Sequence, residues 1–307
     1  MLTLEKSKIC VILTVFNEEN TLANVMEKTR DVLKNAEIIV VDDGSTDTSA
    51  KVAQDCGADL IISHTRNLGV GAALRSGMRA AISRNPDVIV KIDGDGQHLP
   101  EDIPKLIKPI VDGEADLVIG TRFNGHIQMP FIKKAGNKGF TWLMKRLTGC
   151  SLTDAQSGFR AMSGRVAEVL LPRTGTYTYA QEMIIHATKH KLKITEVPIA
   201  TKERKYGNSR VVKNPLTYGF RVILILMRTL RDYNPLLTFG IVGIAMLLSS
   251  LAIYCYLFFE WLIFARPIAE SPTSLLVATT ILLASIQILM FAFLADMIRG
   301  FREKEET

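Results

Sequence analysis

Short β-branched runs and helix-length segments alternate along the first 120 residues, and this alternation leaves few folds open to the chain. Residues 9–16, 37–41, 59–63, 87–92 and 115–119 read as strands bounded by Gly, Pro, Asn or Asp. Between them, residues 20–34, 47–56, 70–84 and 101–112 read as helices, the first capped by Asn20. Strand–helix repetition of this kind predicts an α/β domain built on a mostly parallel, doubly wound sheet. From about 130 to 200 the pattern is less regular, with helices expected near 132–148 and 180–190 and a strand at 193–199.

The C-terminal part has a different character. Residues 235–259 contain no charged side chain, and neither do residues 271–295. As helices these runs would each be about 37 Å long, enough to cross a ~30 Å hydrocarbon core with tilt. A transmembrane hairpin is therefore expected, with spans at about 235–259 and 273–295. Gln287 is the only strongly polar side chain in the middle of the second span, so the spans read as an anchor rather than a transport path. Ahead of the first span, Arg221, Arg228 and Arg231 recur at intervals of seven and three among apolar residues. That spacing suits an amphipathic helix lying on the membrane surface over 215–231.

Charge fixes the expected orientation. Residues 202–234 hold eight Lys or Arg against two acids, and Arg299, Arg302 and Lys304 follow the second span. The connecting loop has only Arg266, between Glu260 and Glu270, so both ends are expected to face the cytoplasm. The apolar run at 9–16 is too short for a secretory signal and leads directly into a polar loop. The formal net charge of +6 is accounted for by a juxtamembrane basic belt meeting anionic lipid. No basic patch interleaved with aromatics points to nucleic acid. Cys10, Cys56, Cys150 and Cys255 lie far apart without a CxxC pair, so neither a zinc site nor a disulfide framework is indicated. Three regions are expected: an α/β domain over 1–212, an interfacial helix region over 213–233 and the hairpin over 234–307.

Asp93 and Asp95 follow the run at 87–92, with Gly94 and Gly96 letting the backbone approach closely. Ligands of open α/β sheets sit outside the carboxyl ends of the strands. Two carboxylates placed there suit a divalent cation on a diphosphate, and they equally suit a solvated Asp-Gly turn. A second acidic strand end, Asp42-Asp43, would share the same crevice. The glycines at 69 and 71 follow a third strand, and no acid stands at the next strand end, so a nicotinamide-binding turn is rejected in favour of a tight start to a helix. His186 and His190 lack an acidic third ligand and read as a solvated helix face.

Five motifs then occur in order: Val-Asp-Asp-Gly-Ser-Thr-Asp (41–47), Asp-Gly-Asp-Gly-Gln-His (93–98), Gly-Thr-Arg-Phe (120–123), Ser-Gly-Phe-Arg-Ala-Met (157–162) and Arg-Lys-Tyr-Gly-Asn-Ser-Arg (204–210). In this the chain resembles the family 2 glycosyltransferases of the GT-A fold. More narrowly it resembles the membrane-anchored dolichyl- and polyprenyl-phosphate sugar synthases. The resemblance covers residues 9–212.

The resemblance implies a metal-dependent transferase that moves a hexose, with inversion, from a GDP-mannose or UDP-glucose type donor to a polyprenyl phosphate on the cytoplasmic face. It implies that Thr14, Phe16, Glu18, Val41 and Asp43 contact the nucleotide, and that Asp93, Gly94 and Asp95 lie at the diphosphate. Asp95 with Gln97 would ligate Mg²⁺ or Mn²⁺. Arg122, Arg204 and Arg210 would hold the phosphates of donor and acceptor, with Asp93, Asp95, Arg122 and Arg204 carrying the chemistry. Thr14 and Phe16 stand where the family commonly has proline and tyrosine, and Arg210 where lysine is common. Taken singly, each arginine also reads as a surface ion-pair partner. Lys133, Lys134, Asn137 and Glu182 are candidates for the acceptor side, against a plain solvated face or a structural ion pair. The competing readings are a processive polysaccharide synthase of the same fold and a membrane-tethered sugar-nucleotide sensor. The first is disfavoured because neither Trp142 nor Trp261 sits in a Gln-x-x-Arg-Trp signature. Pairing of hairpins between copies of the chain would make a homo-oligomer.

Overall fold

A computed structural model describes residues 7–122, 141–142, 145–146, 149–150, 152–172, 179–202, 235–264 and 272–305. They fall in two compact units divided between residues 222 and 223. The boundaries expected at 212 and 233, and the surface helix expected at 215–231, lie outside the described residues.

In the first unit the strands are β1 (Ile9–Val15), β2 (Glu37–Asp42), β3 (Leu60–Ser63), β4 (Val88–Asp93), β5 (Leu117–Thr121), β6 (Arg160–Ser163) and β7 (Ile194–Pro198). The helices are α1 (Leu22–Val32), α2 (Ser49–Asp55), α3 (Val70–Ile82), α4 (Ile103–Val111) and α5 (Tyr179–Lys189). One seven-stranded sheet runs β3-β2-β1-β4-β6-β5-β7. The four strands β3 to β4 pair in parallel, as do β5 and β7, whereas β6 runs antiparallel to both its neighbours. The mostly parallel sheet is as the alternation predicts. The antiparallel β6 is an addition to that prediction: it begins in the Ser157–Met162 motif and is inserted between β4 and β5.

The strands are β-branched runs because both faces are covered. Val11, Leu13, Val40, Val90 and Ile92 join Leu22, Met26, Leu106 and Ile107 in one apolar core beneath α1 and α4. On the other face α3 comes close through Gly77, where a Cβ would lie 2.5 Å from Ile12 Cγ2. α3 starts at Val70 behind Gly69, whose φ of 96° favours glycine, so the glycine pair does make a tight helix start. The helix expected at 101–112 opens as a 3₁₀ turn at Pro100–Asp102: Ile103 N donates to the Pro100 carbonyl, and Pro104 has no N–H to make the α-helical bond to it. Of the helix expected at 132–148, the described residues 141–142 and 145–146 are helical.

Strand order places β2 on one side of β1 and β4 on the other, so the chain reverses its direction of winding at β1/β4. That reversal opens a crevice at the carboxyl ends of the strands. Register sets Thr14 beside Asp93 and Val15 beside Asp42, so both acidic strand ends lie next to the end of β1.

The second unit is a pair of helices, α6 (Pro235–Phe264) and α7 (Pro272–Glu305). Gly243 lets them approach, since a Cβ there would sit 2.7 Å from Leu289 Cγ. Polar atoms bind across the seam: Ser250 Oγ donates to the Ala278 carbonyl at 2.9 Å, and Tyr254 and Thr279 hydroxyls are 2.8 Å apart. Small residues and shared hydroxyls are how helices associate where the solvent itself is apolar. Leu248, Phe259, Leu276, Phe291 and Phe293 face outward. Both helices are long and apolar enough to cross a membrane, and the outward apolar faces are compatible with anchoring in one.

Candidate active site

The site is built at the β1/β4 crevice. Asp93 ends β4, and its Oδ1 accepts hydrogen bonds from the Thr14 hydroxyl at 2.8 Å and the Lys91 ammonium at 2.6 Å. Lys91 is fully buried and also donates to the Tyr179 hydroxyl at 3.1 Å. Burial opposes charge on Asp93, but the Lys91 ammonium and the hydrogen bonds from Lys91 and Thr14 hold its carboxyl below the usual carboxylate range. Burial likewise opposes charge on Lys91, and Asp93 with Tyr179 more than offsets it, keeping the ammonium above its ordinary range. Asp93 is therefore a carboxylate with one oxygen committed.

Beyond Asp93 the chain makes a tight turn. Gly94 N donates to the Thr14 carbonyl at 3.1 Å, and the Thr21 hydroxyl donates to the Gly94 carbonyl at 2.7 Å, binding the turn to α1. Gly96 has φ of 69°, and Gln97 N donates to Asp95 Oδ1 at 3.0 Å. Asp93, Asp95 and the Gln97 amide supply only oxygen donors here, the set that hard cations such as Mg²⁺ or Mn²⁺ prefer. Among the described residues no three His, Cys, Asp or Glu side chains gather as a metal cage. A cation would take one or two protein oxygens and complete its shell from a ligand's phosphates, which fits this set.

His98 lies beneath the turn, packed on Phe159 with ring centroids 5.2 Å apart. Burial pushes its pKa down to about 4, so the ring is neutral. Its Nδ1 is 3.9 Å from Asp93 Oδ2. His98 Nδ1, Ser157 Oγ and Gln181 Oε1 are buried with no hydrogen-bond partner among the described residues. His98 and the Ser157–Gly158 step lie beside Asp93, so two of these polar atoms border the crevice.

At the end of β5, Arg122 makes a two-pronged ion pair with Asp154: Nε to Oδ2 at 2.6 Å and an outer nitrogen to Oδ1 at 3.0 Å. Asp154 is fully buried, so the guanidinium is fixed in direction. Thr153 and Asp154 are bound in turn by Glu196 of β7, which accepts from both backbone amides at 2.8 to 2.9 Å. Arg160 is buried on β6 and donates to the carbonyls of Ser157, Ala180 and Ala155. Burial draws its pKa down to about 10.

The other acidic strand end is used differently. Asp43 is 3% exposed, and its oxygens accept from His64 Nδ1 at 2.7 Å, Leu68 N at 2.9 Å and Gly69 N at 2.8 Å. His64 reaches on to Ser76 Oγ at 3.0 Å. Asp42 Oδ1 accepts from Ser45 N at 3.0 Å. The loop after β1 is laced to the loop after β2: Thr46 N donates to Asn17 Oδ1 at 2.7 Å, and Thr48 donates to Glu19 Oε2.

Thr14, Gly94, Asp93, Asp95 and Gln97 are thus together. Phe16 and Glu18 sit half-buried on the first laced loop, and Val41 is buried in β2 beside Thr14. Glu182 lies one turn beyond Tyr179 on α5. Lys133, Lys134, Asn137, Arg204 and Arg210 lie outside the described residues. His186 binds the Val169 carbonyl at 3.0 Å through Nδ1. Lys91, Tyr179 and Asp154 join the site without a sequence motif that announces them. A lysine in an otherwise apolar strand, two positions before Asp93 and so on the same face, was the available signal.

A family model described as Glycosyl transferase family 2 matches residues 10–171. The UDP-N-acetylglucosamine–dolichyl-phosphate N-acetylglucosaminyltransferase of Methanococcus voltae is 33% identical over 240 residues, covering 71% of this chain and 94% of that protein. Dodecaprenyl-phosphate galacturonate synthase of Rhizobium johnstonii is 27% identical over 304 residues, covering 95% of this chain and 87% of its own length. Among solved structures, glucosyl-3-phosphoglycerate synthase from Mycobacterium tuberculosis, in complex with Mn²⁺, UDP and glucosyl-3-phosphoglycerate, superposes with a TM-score of 0.56. The match is 22% identical and covers 74% of this chain and 83% of that one, a likeness of fold.

Proposed function

The chain belongs to glycosyl transferase family 2, and from that premise we propose that it transfers a hexose from a nucleotide-diphosphate sugar to a polyprenyl phosphate at the cytoplasmic membrane face. The observation that carries this reading is the similarity along 94% of the Methanococcus voltae enzyme, whose acceptor is dolichyl phosphate. The apolar helix pair supports it, because a lipid-linked acceptor must be met at a membrane surface.

The chemistry suits the residues. An acceptor phosphate monoester has a second pKa near ~6 and is already a nucleophile at neutral pH, so no general base is required. One of its oxygens bonds to the anomeric carbon as the bond from that carbon to the diphosphate oxygen breaks, and the nucleoside diphosphate leaves with the electron pair. In-line attack inverts the anomeric centre. Two anions must be held together while charge gathers on the leaving group, and cationic groups answer that need. Arg122, aimed by Asp154, is one; Arg204 and Arg210 are assigned the same work. Asp93 is assigned to the donor, with Thr14, Phe16, Glu18, Val41 and Gly94 on the nucleotide side; Asp43, whose two oxygens are taken by His64, Leu68 N and Gly69 N, is assigned to shaping that side rather than to touching the nucleotide. Asp95 and Gln97 would hold Mg²⁺ or Mn²⁺, which when bound neutralises charge on the diphosphate. Glu182, Lys133, Lys134 and Asn137 are assigned to the acceptor side.

Purified full-length protein in detergent, given divalent metal, polyprenyl phosphate and a panel of GDP- and UDP-sugars, should form a lipid-linked sugar phosphate detectable by mass spectrometry. A folded protein that binds nucleotide yet forms no such product with any donor refutes the reading.

A further inference from the structure

β4 presents its residues alternately to two faces, and Val88, Val90 and Ile92 take the apolar core. Lys91 and Asp93 share the opposite face. Lys91 is fully buried, and directly across the ladder on β6 stands Arg160, 1% exposed. Two cations facing one another between strands oppose the pairing, and a buried ammonium is costly unless it is fully answered. Arg160 is answered by three backbone carbonyls. Lys91 is answered by Asp93 Oδ1 and by Tyr179, whose hydroxyl it meets at 3.1 Å and whose ring centroid lies 5.4 Å away. An apolar side chain would fill this strand position without any such demand. What the lysine adds is control of Asp93.

We propose that Lys91 and Tyr179 are positioning residues of the transfer reaction: Lys91 pins one carboxylate oxygen of Asp93 so that the other is presented to the donor, and Tyr179 ties that geometry to α5. The inference rests on the assignment of Asp93 to the donor made above. Thr14 and Lys91 meet at the same oxygen, Oδ1, so the pair acts as a two-sided clamp. Oδ2 is left pointing towards the Ser157–Phe159 segment. A Cβ on Gly158 would come within 2.8 Å of the Tyr179 hydroxyl, 3.0 Å of Lys91 Nζ and 3.2 Å of Asp93 Oδ2. Glycine there leaves room for all three groups to converge. Because Tyr179 begins the helix that also carries Glu182, a shift of α5 is felt by Asp93 through one ammonium group.

The test is a double-mutant cycle on the full-length protein. Lys91→Met should lower kcat about 100-fold, the scale expected when a reacting group is misplaced by about an ångström, while donor KM changes far less. In an Asp93→Asn background the same substitution should cause no further loss, because Lys91 acts through Asp93. Tyr179→Phe, which removes a single oxygen and spares the packing, should lower kcat in the native background and do nothing in Lys91→Met. Effects that multiply to within about twofold, as independent sites do, would overturn the proposal. So would native kcat in folded Lys91→Met. The same proteins, titrated calorimetrically with nucleoside diphosphate and Mn²⁺, give a second readout that needs no acceptor. Non-additive affinities are expected there, and additive ones sink the inference. A protein that binds nucleotide but transfers nothing to polyprenyl phosphate refutes the proposed function, while the binding cycle still decides the role of Lys91.

Discussion

The ends of β2 and β4 look alike in sequence, each an apolar strand finishing in paired or near-paired aspartates followed by glycine, yet they are built for opposite purposes. At β2, Asp43 spends both oxygens on three internal donors and is almost wholly covered. At β4, Asp93 spends one oxygen on Thr14 and Lys91, and its side chain remains 27% exposed. The first carboxylate draws the 64–69 loop onto the sheet; the second is braced and left with capacity. An aspartate at a strand end becomes a working group when its neighbours supply too few donors to satisfy it. It becomes a strut when they supply enough.

The sharpest way to break this contrast is to neutralise each acid in turn. Asp93→Asn, made together with Lys91→Met so that no buried ammonium is left unpaired, should reduce kcat about 100- to 1,000-fold with the melting temperature little changed, measured by lipid-linked product formation and by thermal unfolding. Asp95→Asn should act on the cation instead, raising the Mn²⁺ concentration for half-maximal activity at least about tenfold. Excess metal should recover part of the rate, and a chelator should abolish turnover in the native chain reversibly.

Asp43→Ala should do the reverse. Removing it leaves Leu68 N, Gly69 N and His64 without their acceptor, a loss of about 2–4 kcal/mol in unfolding free energy. The donor KM should follow only through that loss of order, and Asp43→Asn, which keeps the shape, should keep most of kcat. A large rise in nucleotide Kd for Asp43→Asn in a protein of native stability would show that β2 is also a working end, and would erase the contrast.

Sequence could not have separated these two ends, because the difference lies in what approaches them. The 64–69 loop reaches Asp43 only because Gly44, with φ of 74°, has no Cβ: one there would lie 2.5 Å from the Arg66 carbonyl carbon. Those glycines were visible, but not the contact they permit. The four parallel strands were legible from β-branched runs between turn residues, and the helix pair from two long uncharged stretches. β6 was not legible. It is four residues long, begins with a buried arginine, and pairs with β4 across some 70 residues of intervening chain, which no local pattern reports. Lys91 was hidden for the same reason, since its partners Asp93 and Tyr179 meet it only in the folded chain, Tyr179 from 88 residues away.

A third acid extends the contrast to the other end of the sheet. Asp116 precedes β5, at the end away from the crevice, and is buried. Its Oδ1 accepts from Arg165 at 2.5 Å and its Oδ2 from Lys193 N at 2.9 Å, so it too is fully committed. Burial opposes its charge, but the Lys193 amide and then Arg165 hold the carboxyl below the usual range. A lowered folded-state pKa gives stability that is complete above the unfolded value near 3.8 and is lost as pH falls through the folded value. Arg165 is 68% exposed, so water screens the pair and Asp116→Asn should cost only about 1 kcal/mol. The gap in unfolding free energy between native and variant should stay constant from about pH 7 to 5 and close below about pH 4. Transfer activity should be untouched. A gap that persists into strong acid would mean that the amide, not the charge, holds this end of β5. A fall in kcat would mean that the two ends of the sheet are less independent than the crevice geometry implies.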